Sequence, residues 1–152
     1  MEGKMLTRPK FDKITFEKLN ARQQENFNFH KIAAVLADYG YTSIRLTDDW
    51  EGADFLAQHI NGKHILKIQL KGRLYFGQKY LGKNLYVAFR DGDQWYLYPH
   101  DELKKEIWDV ASFERTNSWQ TKKDYHFPSV PEKIRPLLEK YALKSIPNRG
   151  QE

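Results

Sequence analysis

The feature that most constrains this chain is an Asn-Gly pair, Asn61-Gly62, that stands between two segments of alternating apolar and polar residues. Such a pair is typical of a two-residue type I′ turn that joins two antiparallel strands. If these two residues form the loop, Ile60 faces Lys63, and the register of the whole hairpin follows from that pairing. The register predicts that Asp54 lies directly opposite Gln69, with Cβ atoms about 4.5–5.5 Å apart.

The predicted hairpin brings three kinds of polar side chain onto one patch. Lys71 projects from the same face as Gln69, because side chains alternate along a strand. Asp54 contributes a carboxylate, Gln69 an amide oxygen and Lys71 an ammonium group. Carboxylate and amide oxygens are ligands for hard divalent cations such as Mg²⁺, and a bound cation activates water. The patch therefore carries the groups that phosphodiester hydrolysis requires.

The two faces of this hairpin are predicted to differ in polarity. One face should pack against the rest of the protein, and the other should be exposed to solvent. The apolar face consists of Phe55, Ala57, Leu66, Ile68 and Leu70, and the polar face of Asp54, Gln58, Lys67, Gln69 and Lys71. We therefore expect the polar patch to lie at the surface.

The composition is typical of a globular protein. Hydrophobic residues make up 40% and aromatic residues 14% of the 152 positions, which is enough for a core. The lack of cysteine excludes disulfides, thiolate metal sites and a cysteine nucleophile. Residues 1–10 lack a signal-peptide pattern, and no apolar stretch reaches the roughly 18 residues of a membrane-spanning helix. We expect a cytoplasmic protein with no membrane partner.

The net charge of +5 is distributed unevenly along the chain. No acidic residue occurs from Phe55 to Arg90, whereas lysine and arginine recur there among tyrosine and phenylalanine residues. This pattern is typical of a surface that binds a polyanion with phosphates and stackable bases, although a solvated basic loop also fits. The residues predicted to contact nucleic acid are Arg73, Tyr75, Lys79 and Lys83.

The order of the predicted elements indicates a mixed α/β fold with one central sheet of about five strands flanked by helices. We expect a helix over 21–39, a strand over 41–46, hairpin arms at 54–60 and 63–70, an irregular segment at 72–83, a second hairpin at 84–90 and 94–98, a helix over 99–110 and a helix from a capping box at Ser129–Glu132 to residue 143. We assign residues 1–152 to one domain, with a basic N-terminal arm (1–20), a core (21–98) and a C-terminal helical extension (99–152).

The run Gly52-Ala53-Asp54, followed by a turn and then Gln69-Leu70-Lys71, resembles the motif of the PD-(D/E)XK nuclease superfamily, which has the restriction-endonuclease-like fold. The resemblance covers residues 21–98, and it includes the helix that precedes the motif. It implies a metal-dependent endonuclease that hydrolyses DNA with Mg²⁺ or Mn²⁺ and needs no other small-molecule cofactor. Because cutting both strands of a duplex generally requires two sites, it also implies a homodimer.

The resemblance also implies a role for each residue of the motif. Asp54 would bind the metal through its carboxylate, and Gln69 through its amide oxygen, with the backbone carbonyl of Leu70 beside it. Lys71 would orient or deprotonate the attacking water and offset charge on the phosphate. The family has an acid where this chain has Gln69, and an amide is the weaker ligand for Mg²⁺.

The missing carboxylate makes a further acidic ligand an attractive hypothesis. Glu25 on the first helix is the leading candidate for a catalytic role, and Glu51 ahead of the hairpin is the second. An exposed helical glutamate is the competing interpretation of Glu25. His59 and His64 also face each other across the turn, which could bind a metal, although a plain polar pair at the hairpin tip is the simpler interpretation.

Two other functions are compatible with the same residues. The first is a catalytically weakened or inactive protein of the nuclease fold that binds nucleic acid, in which Gln69 marks lost metal affinity. The second is a basic domain that interacts with an acidic protein. The sequence leaves open the choice between DNA and RNA and any recognition sequence.

Overall fold

A five-stranded mixed sheet forms the centre of the protein, in a computed structural model that describes Gly3 and residues 7–144. The strands are β1 (Tyr41–Trp50), β2 (Ala53–His59), β3 (Ile65–Leu70), β4 (Tyr75–Gly77), β5 (Leu85–Asp91), β6 (Gln94–Pro99) and β7 (Asp124–His126). The central sheet has the order β1-β2-β3-β5-β6, and β4 pairs with β7 in a second, two-stranded sheet. β3 and β5 are parallel, and the other neighbours in the central sheet are antiparallel. The predicted mixed α/β class with one central sheet of about five strands is confirmed.

Helix α1 (Ala21–Asp38) covers one face of the central sheet. It begins at a capping box, in which the Asn20 side chain accepts a hydrogen bond from the Gln23 N–H and the Gln23 side chain accepts one from the Asn20 N–H. It ends before Gly40, whose φ of +83° lies in the left-handed region that favours glycine. Its buried residues Ile32 and Leu36 pack with Phe55, Ala57, Ile68, Ala88 and Trp95 of the sheet.

The opposite face of the sheet is covered by the segment between β3 and β5 and by the C-terminal third of the chain. The covering elements are α2 (His100–Glu106), a π-helical turn (Ser118–Lys122), β4 with β7, and α3 (Arg135–Leu138). Their apolar residues form a core with Val87, Phe89, Tyr96 and Tyr98. The prediction of a solvent-exposed polar face on the first hairpin is therefore wrong at Gln69. This residue is only 8% exposed, because its neighbour Val87 lies in that core.

The pairing of β2 with β3 confirms the predicted register of the hairpin. Phe55 pairs with Ile68 and Gln58 with Ile65, which is the offset expected from the Asn61-Gly62 pair. The predicted type I′ geometry is wrong, because a type I′ turn requires a positive φ at both central residues and only Gly62 has one, +70°. The loop instead closes with a hydrogen bond of 2.9 Å from the His59 N–H to the His64 carbonyl.

The elements outside the hairpins differ more from their predictions. The segment 72–83 is irregular as expected, and contains β4 and a 3₁₀ turn at Gln78–Tyr80. The helix predicted over 99–110 ends at Glu106. The helix predicted from the Ser129–Glu132 capping box is wrong, because α3 begins only at Arg135 and a 3₁₀ turn at Glu139–Tyr141 follows it. Pro136 lacks the N–H that a helix begun at residue 131 would need in its second turn, so the helix begins at Arg135, where the proline falls in the first turn.

None of the described helices has both the length and the apolar character that crossing a membrane would require.

We expect Gly52→Ala to lower the free energy of unfolding by about 2 kcal/mol or more. Gly52 is buried with a φ of +91°, and a Cβ atom there would lie 2.5 Å from the ring of Tyr80. Chemical denaturation measures the loss, and Gly62→Ala is the matched control, because Gly62 has a φ of +70° and nothing within 4 Å of the added atom. Equal losses in the two variants would contradict a specific role for the packing of Tyr80 on Gly52.

Candidate active site

The candidate site lies where β3 ends beside the start of β2. Continuing the register from the Phe55–Ile68 pair by one residue sets Asp54 beside Gln69. The Leu70 N–H donates a hydrogen bond of 2.8 Å to Oδ2 of Asp54. The Lys71 N–H donates one of 2.9 Å to the carbonyl of Ala88 on β5. The residues of the predicted motif are therefore brought together at one end of the sheet.

Asp54 is partly buried, and its surroundings oppose its negative charge. Burial raises the pKa of Asp54, and the negative charges of Glu25 and Asp49 raise it further. The Leu70 N–H and the positive charge of Lys71 act in the opposite direction. Since burial and like charges both disfavour an ionised carboxylate, a cation bound beside Asp54 would relieve this cost.

Gln69 presents an amide that other residues do not use. Its side chain makes no hydrogen bond to the described part of the chain, and its polar atoms are not fully enclosed. Buried polar groups normally have a hydrogen-bond partner, so the amide needs solvent or a ligand to complete its bonds. Its oxygen is therefore available as a neutral ligand beside the Asp54 carboxylate.

Lys71 is held against two aromatic rings. Its Nζ lies 4.2 Å from the ring centre of Tyr75 and 6.0 Å from that of Tyr80, and both contacts favour the ammonium group. Burial lowers the pKa of Lys71, and the charge of Lys79 lowers it further, whereas Asp54 and Asp124 raise it. The aromatic rings therefore fix the position of an ammonium group that is only partly hydrated.

The prediction that Tyr75 contacts nucleic acid is wrong for its side chain in this structure. Tyr75 is 1% exposed, because Lys71, Tyr80 and His126 lie over its ring. A base cannot stack on a ring that is already covered. The other residues of that prediction, Arg73, Lys79 and Lys83, are exposed.

Of the two acidic residues considered as further ligands, Glu25 is the one that acts on Asp54 and shares a cleft with the motif. It lines a cleft of about 300 Å³ together with Leu70 and Lys71, and it contributes to the raised pKa of Asp54. It also forms a 3.4 Å ion pair with Arg45. Glu51 is instead bound by Lys67 at 2.7 Å, so its carboxylate is already neutralised.

Asp49 is a residue that the sequence interpretation missed. Its negative charge raises the pKa of Asp54, and its Oδ2 accepts a hydrogen bond of 3.3 Å from the Gly52 N–H. The signal was present in the sequence as an acidic stretch just ahead of Asp54. The pairing of β1 with β2 shifts its register between Arg45 and Trp50, and this irregularity turns the acidic stretch toward the hairpin. The alternating pattern of the sequence does not predict such a shift.

The donor set fits a cation that keeps most of its own water. In the described part of the chain, no three His, Asp or Glu residues are arranged to hold a metal together. The ring centres of His59 and His64 lie 6.1 Å apart, and Nδ1 of each ring is hydrogen-bonded to Asn61. This is the arrangement of a plain polar pair. Mg²⁺ keeps several waters and needs only one or two protein carboxylates. This site offers one carboxylate, that of Asp54, with the Gln69 amide oxygen beside it.

The segment that carries Lys79 and Tyr80 is anchored at both ends by the first residues of α2. Nε2 of His100 accepts a hydrogen bond of 3.0 Å from the Gly77 N–H, and its Nδ1 is bonded to Asp101 at 2.8 Å. Oδ2 of Asp101 accepts one of 2.8 Å from the Gly82 N–H. His100 is 1% exposed, and burial lowers its pKa, which favours the neutral ring. Only the neutral ring has a nitrogen that can accept a hydrogen bond from the Gly77 N–H.

Comparisons with known proteins give structural neighbours only. No family model matches the sequence, and a search of curated proteins finds no match. The structure is similar to that of a Holliday junction resolvase, Hjc of the archaeal hyperthermophile Archaeoglobus fulgidus, with 19% identity and a TM-score of 0.40, over 50% of this chain and 72% of that one. It is also similar to a bacterial homing endonuclease, with 12% identity and a TM-score of 0.42, over 80% of this chain and 94% of that one. Because both scores and identities are low, we base the functional proposal on the residues of the site.

We expect Asp54→Asn to raise the melting temperature at pH 7 in metal-free buffer. The pKa of Asp54 is higher in the folded protein than in the unfolded chain, so its ionised form destabilises the fold. This destabilisation is fully present above the folded pKa. It disappears as the pH falls through the folded pKa toward the ordinary value for Asp. The asparagine oxygen can still accept from the Leu70 N–H, so the variant removes the charge and keeps the bond.

Thermal denaturation at pH 7 and at acidic pH checks this expectation. The matched control is Asp48→Asn, which removes an exposed charge from the neighbouring acidic stretch. The gain in the Asp54 variant should shrink at acidic pH. A lower melting temperature for Asp54→Asn at pH 7 would contradict the electrostatic account of the site.

Proposed function

We propose that this protein is a metal-dependent endonuclease that hydrolyses phosphodiester bonds in DNA. The observation that carries the proposal is the hydrogen bond from the Leu70 N–H to Oδ2 of Asp54, which joins the start of β2 to the Gln69-Leu70-Lys71 segment. It brings a partly buried carboxylate, an unused amide and an ammonium group to one end of the sheet. This is the set of groups that the resemblance to the PD-(D/E)XK superfamily implies.

In this proposal Asp54 and Gln69 hold a Mg²⁺ or Mn²⁺ ion through side-chain oxygens, with the Leu70 carbonyl as a further ligand. The bound ion would supply Lewis-acid chemistry, namely a lower pKa for its water and compensation of charge on the phosphate. The raised pKa of Asp54 supports this assignment, because a buried carboxylate in need of a positive charge is a good site for a cation.

The remaining steps belong to side chains of this chain. Lys71 would donate hydrogen bonds to the attacking water or to a phosphate oxygen from its position over Tyr75. Glu25, which lines the same cleft as Lys71, would orient a water. Arg73, Lys79 and Lys83 are exposed and would contact the phosphate backbone, which positions a nucleic acid without reading its sequence.

We also propose that residues 1–152 form one domain, because α2, β7 and α3 pack onto the same central sheet as the hairpins. Cutting both strands of a duplex would require two copies of the single site, so we propose a homodimer on double-stranded DNA.

One observation favours a second candidate, a nucleic-acid-binding protein without catalysis. Gln69 supplies no charge to a metal, and the structure offers no three-residue cluster of acidic or histidine ligands within the described residues. In that case DNA binding would persist, and it would not depend on Asp54.

We expect the purified protein to nick supercoiled plasmid DNA in the presence of Mg²⁺ or Mn²⁺ and to lose this activity in EDTA. Asp54→Ala and Lys71→Ala should each reduce the rate by at least about 100-fold, because each removes a group that acts on the reacting phosphate or water. Gln69→Glu should lower the Mg²⁺ concentration needed for half-maximal rate, since a carboxylate binds the ion more strongly than an amide.

The matched control for the lysine variant is Lys63→Ala, an exposed lysine in the hairpin loop at the other end of β3, which should retain the wild-type rate. Nicking that survives Asp54→Ala and Lys71→Ala would place catalysis elsewhere and contradict the proposal. DNA binding without nicking under any metal would favour the second candidate.

A further inference from the structure

The two-stranded sheet of β4 and β7 has one face in the core and one face directed toward the candidate site. Tyr75 pairs with His126 and Gly77 with Asp124. Tyr125 points into the core, where its ring packs on Phe127 at 4.8 Å. Because side chains alternate along a strand, Asp124 and His126 point the other way. Residues far from the motif in sequence thus border the same surface as Lys71.

His126 and Lys71 both lie against the ring of Tyr75. The ring of His126 lies 4.6 Å from that of Tyr75, and Nζ of Lys71 lies 4.2 Å from the same ring. Partial burial lowers the pKa of His126, and the charges of Lys71, Arg73 and Lys122 lower it further against the opposing effect of Asp124. Each of these cations therefore lies near His126. The Gln78 N–H also donates a hydrogen bond of 2.8 Å to the Lys123 carbonyl, so the residue after Lys122 adjoins the residue before Lys79.

We call this surface the basic face and define it by Lys71, Arg73, Lys79, Lys122 and His126. Arg73, Lys79 and Lys122 are exposed, and none of the three forms an ion pair with a carboxylate of the described residues. Elsewhere in the C-terminal third, Lys104 and Arg135 do form such pairs. The cations of the basic face are therefore available to an external anion.

Asp124 is the acidic residue that faces this group from β7. It lies 3.8 Å from Nε2 of His126, and its side chain is 31% exposed. Its single charge offsets part of the positive charge of the basic face and leaves the exposed cations in excess.

We propose that the basic face binds the phosphate backbone of a nucleic acid on the side of the candidate site formed by β4, β7 and the π-helical turn. Lys122 is the residue that this proposal adds beyond the motif region, with His126 beside it. The proposal rests on the proposed function only in assigning that nucleic acid as the substrate.

The shape of the basic face favours a linear polyanion over a small anion. Its cations come from three stretches, residues 71–73, 79 and 122–126, and they lie on an open surface rather than around an enclosed cavity. A nucleic-acid strand presents one negative charge about every 3.4 Å along its axis, so separated cations can each meet a phosphate. Such contacts give affinity and a steep dependence on salt concentration.

The test measures the affinity of the full chain for a short DNA duplex in EDTA, across a series of salt concentrations. Lys122→Glu should weaken binding about tenfold and reduce the slope of log affinity against log salt by about 1. The matched control is Lys63→Glu, which changes the net charge equally but lies on the order of 20 Å from Lys71, at the other end of β3. It should change the affinity by less than about twofold. Melting temperatures confirm that both variants fold, and Lys122→Gln should give a smaller loss in the same direction.

Equal weakening by Lys122→Glu and Lys63→Glu would overturn the proposal, because net charge alone would then explain the binding. Binding of polyglutamate as tight as that of DNA would also overturn it, since an acidic protein would then be an equal partner. If the protein nicks plasmid DNA but Lys122→Glu does not change its affinity for DNA, the proposed role of the basic face is wrong and the proposed function still holds. If DNA binding depends on Lys122 but no metal-dependent nicking occurs, the role of the basic face is supported and the proposed nuclease activity is contradicted.

Discussion

The parallel pairing of β3 with β5 is the constraint on which the rest of this structure depends. Two parallel neighbours cannot be joined by a tight turn, so the chain must cross from the end of β3 back to the start of β5. Here residues 71–84 make that crossing without a helix, as a short strand and a 3₁₀ turn. The crossing lays Tyr75 and Tyr80 over the polar end of the first hairpin. It therefore supplies the aromatic rings against which Lys71 is held.

A crossing without a helix has few hydrogen bonds of its own, so other elements must hold it. The first two residues of α2 bind the backbone at Gly77 and Gly82, and β7 pairs with β4 on the other side. Gly52 allows the ring of Tyr80 to lie against the start of β2. The C-terminal third of the chain is thus a structural part of the candidate site, because it holds the segment that covers Asp54 and Lys71.

The features that were predictable from the sequence are the ones that short-range rules control. The Asn61-Gly62 pair and the alternation on either side of it give the register that sets Asp54 beside Gln69, even though the turn type is different. The burial of Gln69 depends instead on the C-terminal elements that pack over its neighbour Val87. The covering of Tyr75 depends on the pairing of β4 with β7, whose partners lie about fifty residues apart in the chain. No local pattern reports a contact at that separation, and the three-residue strands are too short to show alternation. The same separation in sequence is why the positions of Lys122 and His126 on the basic face could not be predicted.

The amide at position 69 has a physical rationale in this setting. Asp54 already bears the cost of burial and the repulsion of Glu25 and Asp49. A carboxylate at position 69 would add a second like charge at contact distance in the same partly dry site, and without a cation one of the pair would have to bind a proton. In the proposed site, Gln69 would keep an oxygen ligand in place and avoid that repulsion, so the metal-free protein would be more stable than one with a carboxylate at this position. The same amide would bind the proposed ion more weakly than a carboxylate, and phosphate oxygens of a nucleic acid bound on the basic face would compensate for that loss.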